Sequence, residues 1–376
     1  MKVRLGDVAT YINGYAFKPE DWSDSGLPII RIQDLTGNSY KTNRFSGKYD
    51  KKFEVNDGDI LISWSASIGV YVWRGEKAVL NQHIFKVKFD KQVNICKKFF
   101  IYQVENILKK AILETHGATM KHLTKPVFDS LPFYLPDIKK QNEISAILDK
   151  ISEIISLRQR QLKKLDELVK SRFIEMFENV ENKIPLNSVC DVSGGYSFKS
   201  SDITSEGVIK ILQIGNVYLD DVNWETTNYL PKGYDKSHSR FLLNEGDIVV
   251  ALTRPIIQSL GNVKACIVKD ADMPCLLNQR VGRIVPKKNI EVSPKFIYGC
   301  LMTDSFTRYV ESCSIGCSQP NISTKDIENY MVPDVSFKEQ MKFVNFKEQT
   351  DKSKLEIQKS LDKLEILKKS LMQKYF

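Results

Sequence analysis

The chain has 376 residues, too many for one ordinary domain, and its 42% apolar share is that of a folded rather than a disordered protein. The formal charge of +9, from 55 Lys+Arg against 46 Asp+Glu, suits a nucleic-acid partner but also a merely solvated lysine-rich face. No run reaches the roughly 18–20 apolar residues of a membrane span. The opening Met1–Asp7 has no apolar signal core, so a cytoplasmic protein is expected.

From the N-terminus, Leu5–Lys18 carries the segment G-Y-x-F-K at Gly14–Lys18. β-branched and aromatic runs between Gly, Asn and Asp predict strands at Ile29–Ile32, Ile60–Ile62 and Ile84–Val87. N-x-G-D-I stands at Asn56–Ile60 and L-N-Q at Leu80–Gln82. A helix is predicted around Lys98–Glu114, followed by turns at Pro126, Pro132 and Pro136.

From Lys139 to about Asn179 there is no Gly or Pro. Ile144, Ile147, Ile151, Ile154, Leu162, Leu165, Val169 and Phe173 form one apolar stripe, interrupted at Arg158, which predicts a coiled-coil seam. Some 40 residues at 1.5 Å each would make a rod of roughly 60 Å. Two amphipathic helices packed on their own domains are the alternative; the unbroken length favours the rod.

The chain then repeats itself. Leu5–Lys18 returns as Leu186–Lys199, Pro28–Leu35 as Lys210–Val217, Phe53–Ile60 as Phe241–Ile248, Leu80–Gln82 as Leu277–Gln279, and Phe100–Tyr102 as Phe296–Tyr298. Strands are accordingly predicted at Ile211–Ile214, Ile248–Val250 and Val281–Ile284. Leu162, Leu165, Leu168, Ser171 and Phe177 recur at one fixed offset as Leu361, Leu364, Leu367, Ser370 and Phe376, within a second unbroken segment from Phe337 to Phe376 that includes Ile357. The expected fold is α+β: two similar, mainly-β globular domains over 1–137 and 181–335, followed by long helices over 138–180 and 336–376. A narrow stripe cannot bury itself alone, so the two helices are expected to pair as an antiparallel coiled coil with pseudo-two-fold symmetry, the symmetry of duplex DNA about a dyad.

With these segments in view, the chain resembles the specificity (S) subunits of type I restriction-modification systems over its whole length. The resemblance rests on G-Y-x-F-K, N-x-G-D-I and L-N-Q in the same order twice, and on Gly117–Leu123 with its partner Gly316–Ile322, each leading through Pro-Asp to a long helix. It implies two target-recognition domains, each reading half of a bipartite, asymmetric double-stranded DNA target across an unread gap. The helices would set that gap and dock two methyltransferase (M) subunits, and restriction (R) subunits would complete the endonuclease. S-adenosylmethionine would belong to the M subunits, which methylate adenine at N6, and ATP and Mg to the R subunits; no cofactor is expected in this chain.

The residues agree that this chain is no enzyme. An amino-methyltransferase needs a D/N-P-P-Y/F loop, and the nearest string, Ser130–Phe133, lacks it; no G-x-x-x-x-G-K-[ST] phosphate loop occurs either. Pro136–Lys139 reads as a helix-entry turn with Asp137 as N-cap. Seven irregularly spaced cysteines without C-x-x-C, beside four histidines, argue against a metal site and for reduced core thiols.

Residues shared by the copies should serve the fold or the phosphate backbone, and those that differ are candidates for reading bases. By that logic Gly14 and Gly195 make turns and Phe17 and Phe198 fill cores. Lys18 and Lys199 hold phosphates or are simply solvated, while Asn81, Gln82, Asn278 and Gln279 are open between adenine reading and a structural role. The divergent sets are His83 against Arg280, Trp64–Ser65 against Thr253–Arg254, and Thr119, Lys121 and His122 against Ser318, Gln319 and Asn321. These types reach base edges, although loops also vary without function. Ile144, Ile151, Leu162, Leu165, Ile357, Leu361 and Leu364 are the candidates for partner-binding helix positions. A protein scaffold and an RNA binder are the rival readings; stacked aromatics on an open sheet or arginine-rich stretches, the signs of RNA modules, are not evident.

Overall fold

A computed structural model describes residues 1–39, 41–65, 67–114, 124–257, 259, 261–313 and 321–376. The chain divides into two compact units, one formed by Met1–Arg158 with Ser360–Phe376 and the other by Gln159–Lys359. The central helix is Ile138–Phe177 and the C-terminal helix Phe337–Tyr375, so each unit contains part of both. Among the described residues no helix is long and apolar enough to cross a membrane.

In the first unit an antiparallel sheet runs in the order Thr10–Asn13, Ile84–Lys88, Ile60–Ser63, Gly69–Val72. A second sheet runs Arg44–Phe45, Leu27–Ile30, Ala78–Leu80, Glu54–Val55, with the middle pair parallel. Side chains alternate across a strand. Ile60 and Ile62 therefore enter a core with Phe85, the helix Lys97–Glu114, the start of the central helix and Met372. Leu61 faces the other way, into a smaller core with Ile30 and Leu80.

The second unit repeats the plan. Cys190–Gly194, Val281–Pro286, Ile248–Ala251, Ala265–Ile267 and Leu219–Asp220 form one sheet, and Asn228–Leu230, Ile209–Leu212 and Cys275–Leu277 the other. Ile248 and Val250 enter one core, Val249 and Ala251 the other. Where the first unit has one helix, the second has two, Pro294–Leu301 and Asp304–Cys313. The break falls where the Thr303 hydroxyl accepts the Phe306 amide at 3.2 Å. Within this unit the long helices run antiparallel: Asp166 pairs with Lys354, the Arg172 guanidinium lies 5.9 Å from the Phe346 ring, and Phe177 meets Phe343.

Three expectations need correction. The strands predicted at Ile29–Ile32 and Ile211–Ile214 lie at Leu27–Ile30 and Ile209–Leu212. Each ends early because a side chain turns the backbone: Asp34 Oδ2 accepts the Arg31 amide at 2.8 Å, and Asn216 Oδ1 accepts the Gln213 amide at 2.9 Å. On the central helix, Ile147 is 42% exposed, and fully buried Leu148 takes its place between Ile144 and Ile151. The pairing of Phe100–Tyr102 with Phe296–Tyr298 is displaced by one residue. Lys98 bonds Asp149 and Lys295 bonds Glu348, both at 2.5 Å, while Phe99 packs on Phe376 and Phe296 on Phe177.

Asp137 caps the central helix as expected, accepting the Lys140 amide at 2.8 Å. The firmer anchor is one that reading the sequence passed over. Buried Gln141 accepts the Cys96 amide at 2.8 Å and donates to the carbonyls of Asn94 and Pro136. Buried Gln340 likewise accepts the Ser293 amide at 3.0 Å and donates to Val335. Each glutamine ties the start of a long helix to its globular domain. Gln141→Ala leaves the Cys96 amide and two carbonyls without their partner, and an unpaired buried group costs about 1–3 kcal/mol. Urea denaturation of the full chain should therefore show a lower midpoint for the first unit, with Gln141→Glu no milder, because a buried carboxylate oxygen would face the Asn94 and Pro136 carbonyls.

Candidate nucleic-acid interface

The shared motifs meet at one corner of each unit. Gly14 donates its amide to the Ile84 carbonyl, Tyr15 to Leu80, and Gln82 back to Tyr15. In the second unit Gly195 donates to Val281, Tyr196 to Leu277, and Gln279 to Tyr196. The L-N-Q backbone passes so close that a Cβ on Gly14 would strike the Asn81 carbonyl, and one on Gly195 the Asn278 carbonyl. Asn81 and Asn278 also donate their amides into the second sheet, to Ile30 and Leu212. G-Y and L-N-Q are thus one device joining two sheets, which gives the Asn-Gln backbone its structural role.

The N-x-G-D-I motif opens the strand Ile60–Ser63, or Ile248–Ala251, whose far end reaches this corner. Gly58 and Gly246 have φ of +85° and +88°, so only glycine makes that turn without strain. Asp59 pairs with Lys86 at 3.2 Å, and Asp247 with Arg283 at 2.8 Å. The second pair is the more buried, with side chains 15% and 5% exposed. Burial raises the Asp247 carboxyl above its usual range, while the Asn244 amide and Arg283 pull it down.

Directly after the glutamines come His83 and Arg280, and both have left-handed backbone, at φ 74° and 68°. For residues other than glycine this conformation costs roughly 1–2 kcal/mol. It is held by neighbours: the Trp64 amide donates to the His83 carbonyl at 3.2 Å, and the Leu252 amide to that of Arg280 at 2.8 Å. Those bonds also correct the sequence pairing. Trp64 matches Leu252 and Ser65 matches Thr253, one residue away from Trp64–Ser65 against Thr253–Arg254.

In the second unit three distant segments converge here. Arg280 bonds Leu252, the Ile322 amide donates to the Leu252 carbonyl at 2.9 Å, and Thr253 bridges to Asn321. Arg280, Arg254 and Asn321 are exposed, and Arg254 also has left-handed backbone, at φ 47°. In the first unit the half-buried Trp64 ring lies 4.9 Å from His83 and 5.8 Å from Phe85, and Ser65 accepts the Ser63 hydroxyl at 3.1 Å. Gln82 is half-buried, Asn278 buried and Gln279 exposed. Lys18 and Lys199 are exposed. Phe198 is buried, whereas Phe17 is half-buried. Thr119, Lys121, His122, Ser318 and Gln319 lie outside the described residues.

On the long helices Ile144, Ile151 and Leu361 are buried within the chain, and Leu162, Leu165, Ile357 and Leu364 are half-buried. Outward apolar surface comes instead from others, among them Ile366, Leu355 and the matching pair Leu168 and Leu367, the last two 48% and 46% exposed.

Two copies of one scaffold, each holding a strained and different polar side chain at the same corner, define a double recognition module. The family profile described as the type I restriction modification DNA specificity domain matches residues 1–167 and 178–368. The chain belongs to that family, whose specificity subunits are the non-catalytic recognition component of type I restriction-modification complexes. It is 30% identical over 362 residues to the MjaVIII specificity subunit of Methanocaldococcus jannaschii, covering 90% of this chain and 83% of that one. Against the EcoBI specificity subunit of Escherichia coli the identity is 22% over 380 residues, with 92% and 77% covered. The fold is shared with the crystal structure of an S subunit from M. genitalium (TM-score 0.55, 16% identity, 100% of this chain and 96% of that one). It is also shared with a chain from a structure of a type I R-M system (TM-score 0.61, 14% identity, the same coverage).

If the strain at Arg280 is a backbone property, its replacements should divide by backbone preference. Arg280→Gly should melt no lower than the parent chain, whereas Arg280→Val, β-branched in a left-handed position, should cost about 1–2 kcal/mol. Equal melting temperatures for the two variants would show that the position is not held as described.

Proposed function

We propose that each unit reads one half of a bipartite, asymmetric DNA target and that the chain thereby directs adenine-N6 methylation and restriction by partner subunits. The observation that carries this reading is the corner itself: identical backbone bonds in both units, with His83 in one and Arg280 in the other. Arginine is suited to guanine and the neighbouring Asn321 to adenine, so different half-sites follow from different side chains on one frame. Arg254, Thr253 and Asn321 serve the second half-site; Trp64, Ser65 and His83 serve the first. Asn81, Gln82, Asn278 and Gln279 position these loops.

The partners follow from the family. Two methyltransferase subunits carry S-adenosylmethionine, restriction subunits supply ATP- and Mg-dependent work, and the assembly acts in the cytoplasm. Matching outward leucines, Leu168 and Leu367, offer two equivalent docking points, which fits two M subunits. Each long helix is continuous from one unit into the other, and its length sets the unread gap.

Mapping methylated adenines in the host genome by single-molecule sequencing tests the reading. The expected motif has two unlike halves; Arg280→His changes only one of them, and four residues inserted after Leu162 change only the gap. A motif that loses both halves with Arg280→His contradicts it. Leu168→Glu or Leu367→Glu should each reduce the M subunits per complex from two to one, as measured by native mass spectrometry. Methyl transfer by the purified chain alone would overturn the assignment.

A further inference from the structure

Tyr15 and Tyr196 are the middle residues of the shared corner, and each donates and accepts backbone bonds that any residue would supply. Their side chains therefore need a separate explanation. Both rings stand on a cluster of others: Tyr15 lies 5.0 Å from Phe17 and 5.7 Å from Phe53, and Tyr196 lies 5.1 Å from Phe198 and 5.2 Å from Phe241. Yet they remain 48% and 41% exposed. Ring contacts on one side fix each tyrosine while its other side faces solvent.

The hydroxyls differ from those of six other tyrosines. Tyr11, Tyr49, Tyr102, Tyr234, Tyr298 and Tyr309 all donate within the chain. Among the described residues neither Tyr15 nor Tyr196 makes a side-chain hydrogen bond. A phenylalanine would fill the ring cluster equally well, so retention of a hydroxyl in both copies points outward.

Cations flank both. Lys18 and Lys199 follow at the end of the same motif, each exposed. The 3-10 turns Lys51–Phe53 and Ser239–Phe241 each bring a ring against the tyrosine and an exposed cation, Lys52 or Arg240, just before it. Lys52 lies 4.8 Å over Phe53. The ion pairs of Lys18 with Glu20 at 3.5 Å and Lys52 with Asp50 at 2.9 Å are exposed, and such pairs exchange readily for another anion.

We propose that Tyr15 and Tyr196, each with its two flanking cations, grip one DNA phosphate per half-site without regard to sequence. This rests on the DNA-reading function above and assigns it a further element. The strained residues His83 and Arg280 follow directly after glutamines that bond these tyrosines, so a phosphate held here fixes the depth at which the adjoining loop meets base edges. Contacts to phosphates position, and contacts to bases specify. That division explains why the tyrosine is common to the copies and its neighbour is not.

The test uses the full chain assembled with its methyltransferase subunits and two duplexes, one with the methylated motif and one without. Tyr15→Phe and Tyr196→Phe keep the ring and remove the donor. Each should weaken binding to both duplexes by the same factor, about tenfold for a hydrogen bond to a charged acceptor, and leave the methylated motif unchanged. A methylphosphonate at the contacted phosphate should weaken the parent complex and add nothing to the Phe variant. Lys18→Ala and Lys199→Ala should each lower the salt dependence by about one phosphate contact. Unchanged affinity in the Phe variants, a loss confined to the motif duplex, or an altered motif would overturn the proposal. Failure of the parent complex to bind either duplex would instead overturn the function on which it rests.

Discussion

The recognition corner depends on one close approach, the backbone of Gly14 against the carbonyl of Asn81 and that of Gly195 against Asn278. No side chain fits at either glycine. That contact lets the strand ending at Leu80, or Leu277, leave one sheet and immediately bond the edge of the other. In the turn that follows, His83 and Arg280 take left-handed backbone. A tyrosine is held on one side of that turn, and Trp64 or Leu252 on the other. The side chain at this position thus stands on a turn pinned between strands, and it can change without altering its frame.

A second constraint joins each globular domain to its long helix. Gln141 and Gln340 sit one turn into their helices and satisfy backbone groups that the preceding loop would otherwise bury unpaired. Phe376 and Phe177 pack the far ends of the two helices into aromatic cores beside Phe99 and Phe296. Because each unit contains part of both helices, neither globular core is completed by one repeat of the sequence alone.

Much of this was legible in the sequence because duplication supplies its own comparison. The β runs, the unbroken helices and the shared motifs all carry period or composition signals. Residue-level pairing was less secure where the signal was a few apolar letters. The F-I-Y match suggested an offset one residue short, although the offset joining Asn81 to Asn278 continues without a gap through Cys96 and Ser293 to Lys98 and Lys295. Gln141 and Gln340 were likewise visible at the fixed offset of the leucines, but a polar residue in a helical stripe reads as surface. Left-handed backbone leaves no trace in the residue type of Arg280, and only a weak one in His83; it is held by the strands around them. Likewise Leu168 and Leu367 share the heptad texture of buried leucines, and only packing reveals that they face outward.

The central claim is that specificity resides where two copies of one frame differ. It is tested most directly by making the copies alike. A chain whose second globular domain, 181–335, is replaced by the first, 1–137, while both long helices are kept, should assemble with its methyltransferase partners. Sequencing of methylated adenines should then show the first half-site on both sides of the gap. Persistence of the parent's asymmetric motif in that assembled complex would contradict the account.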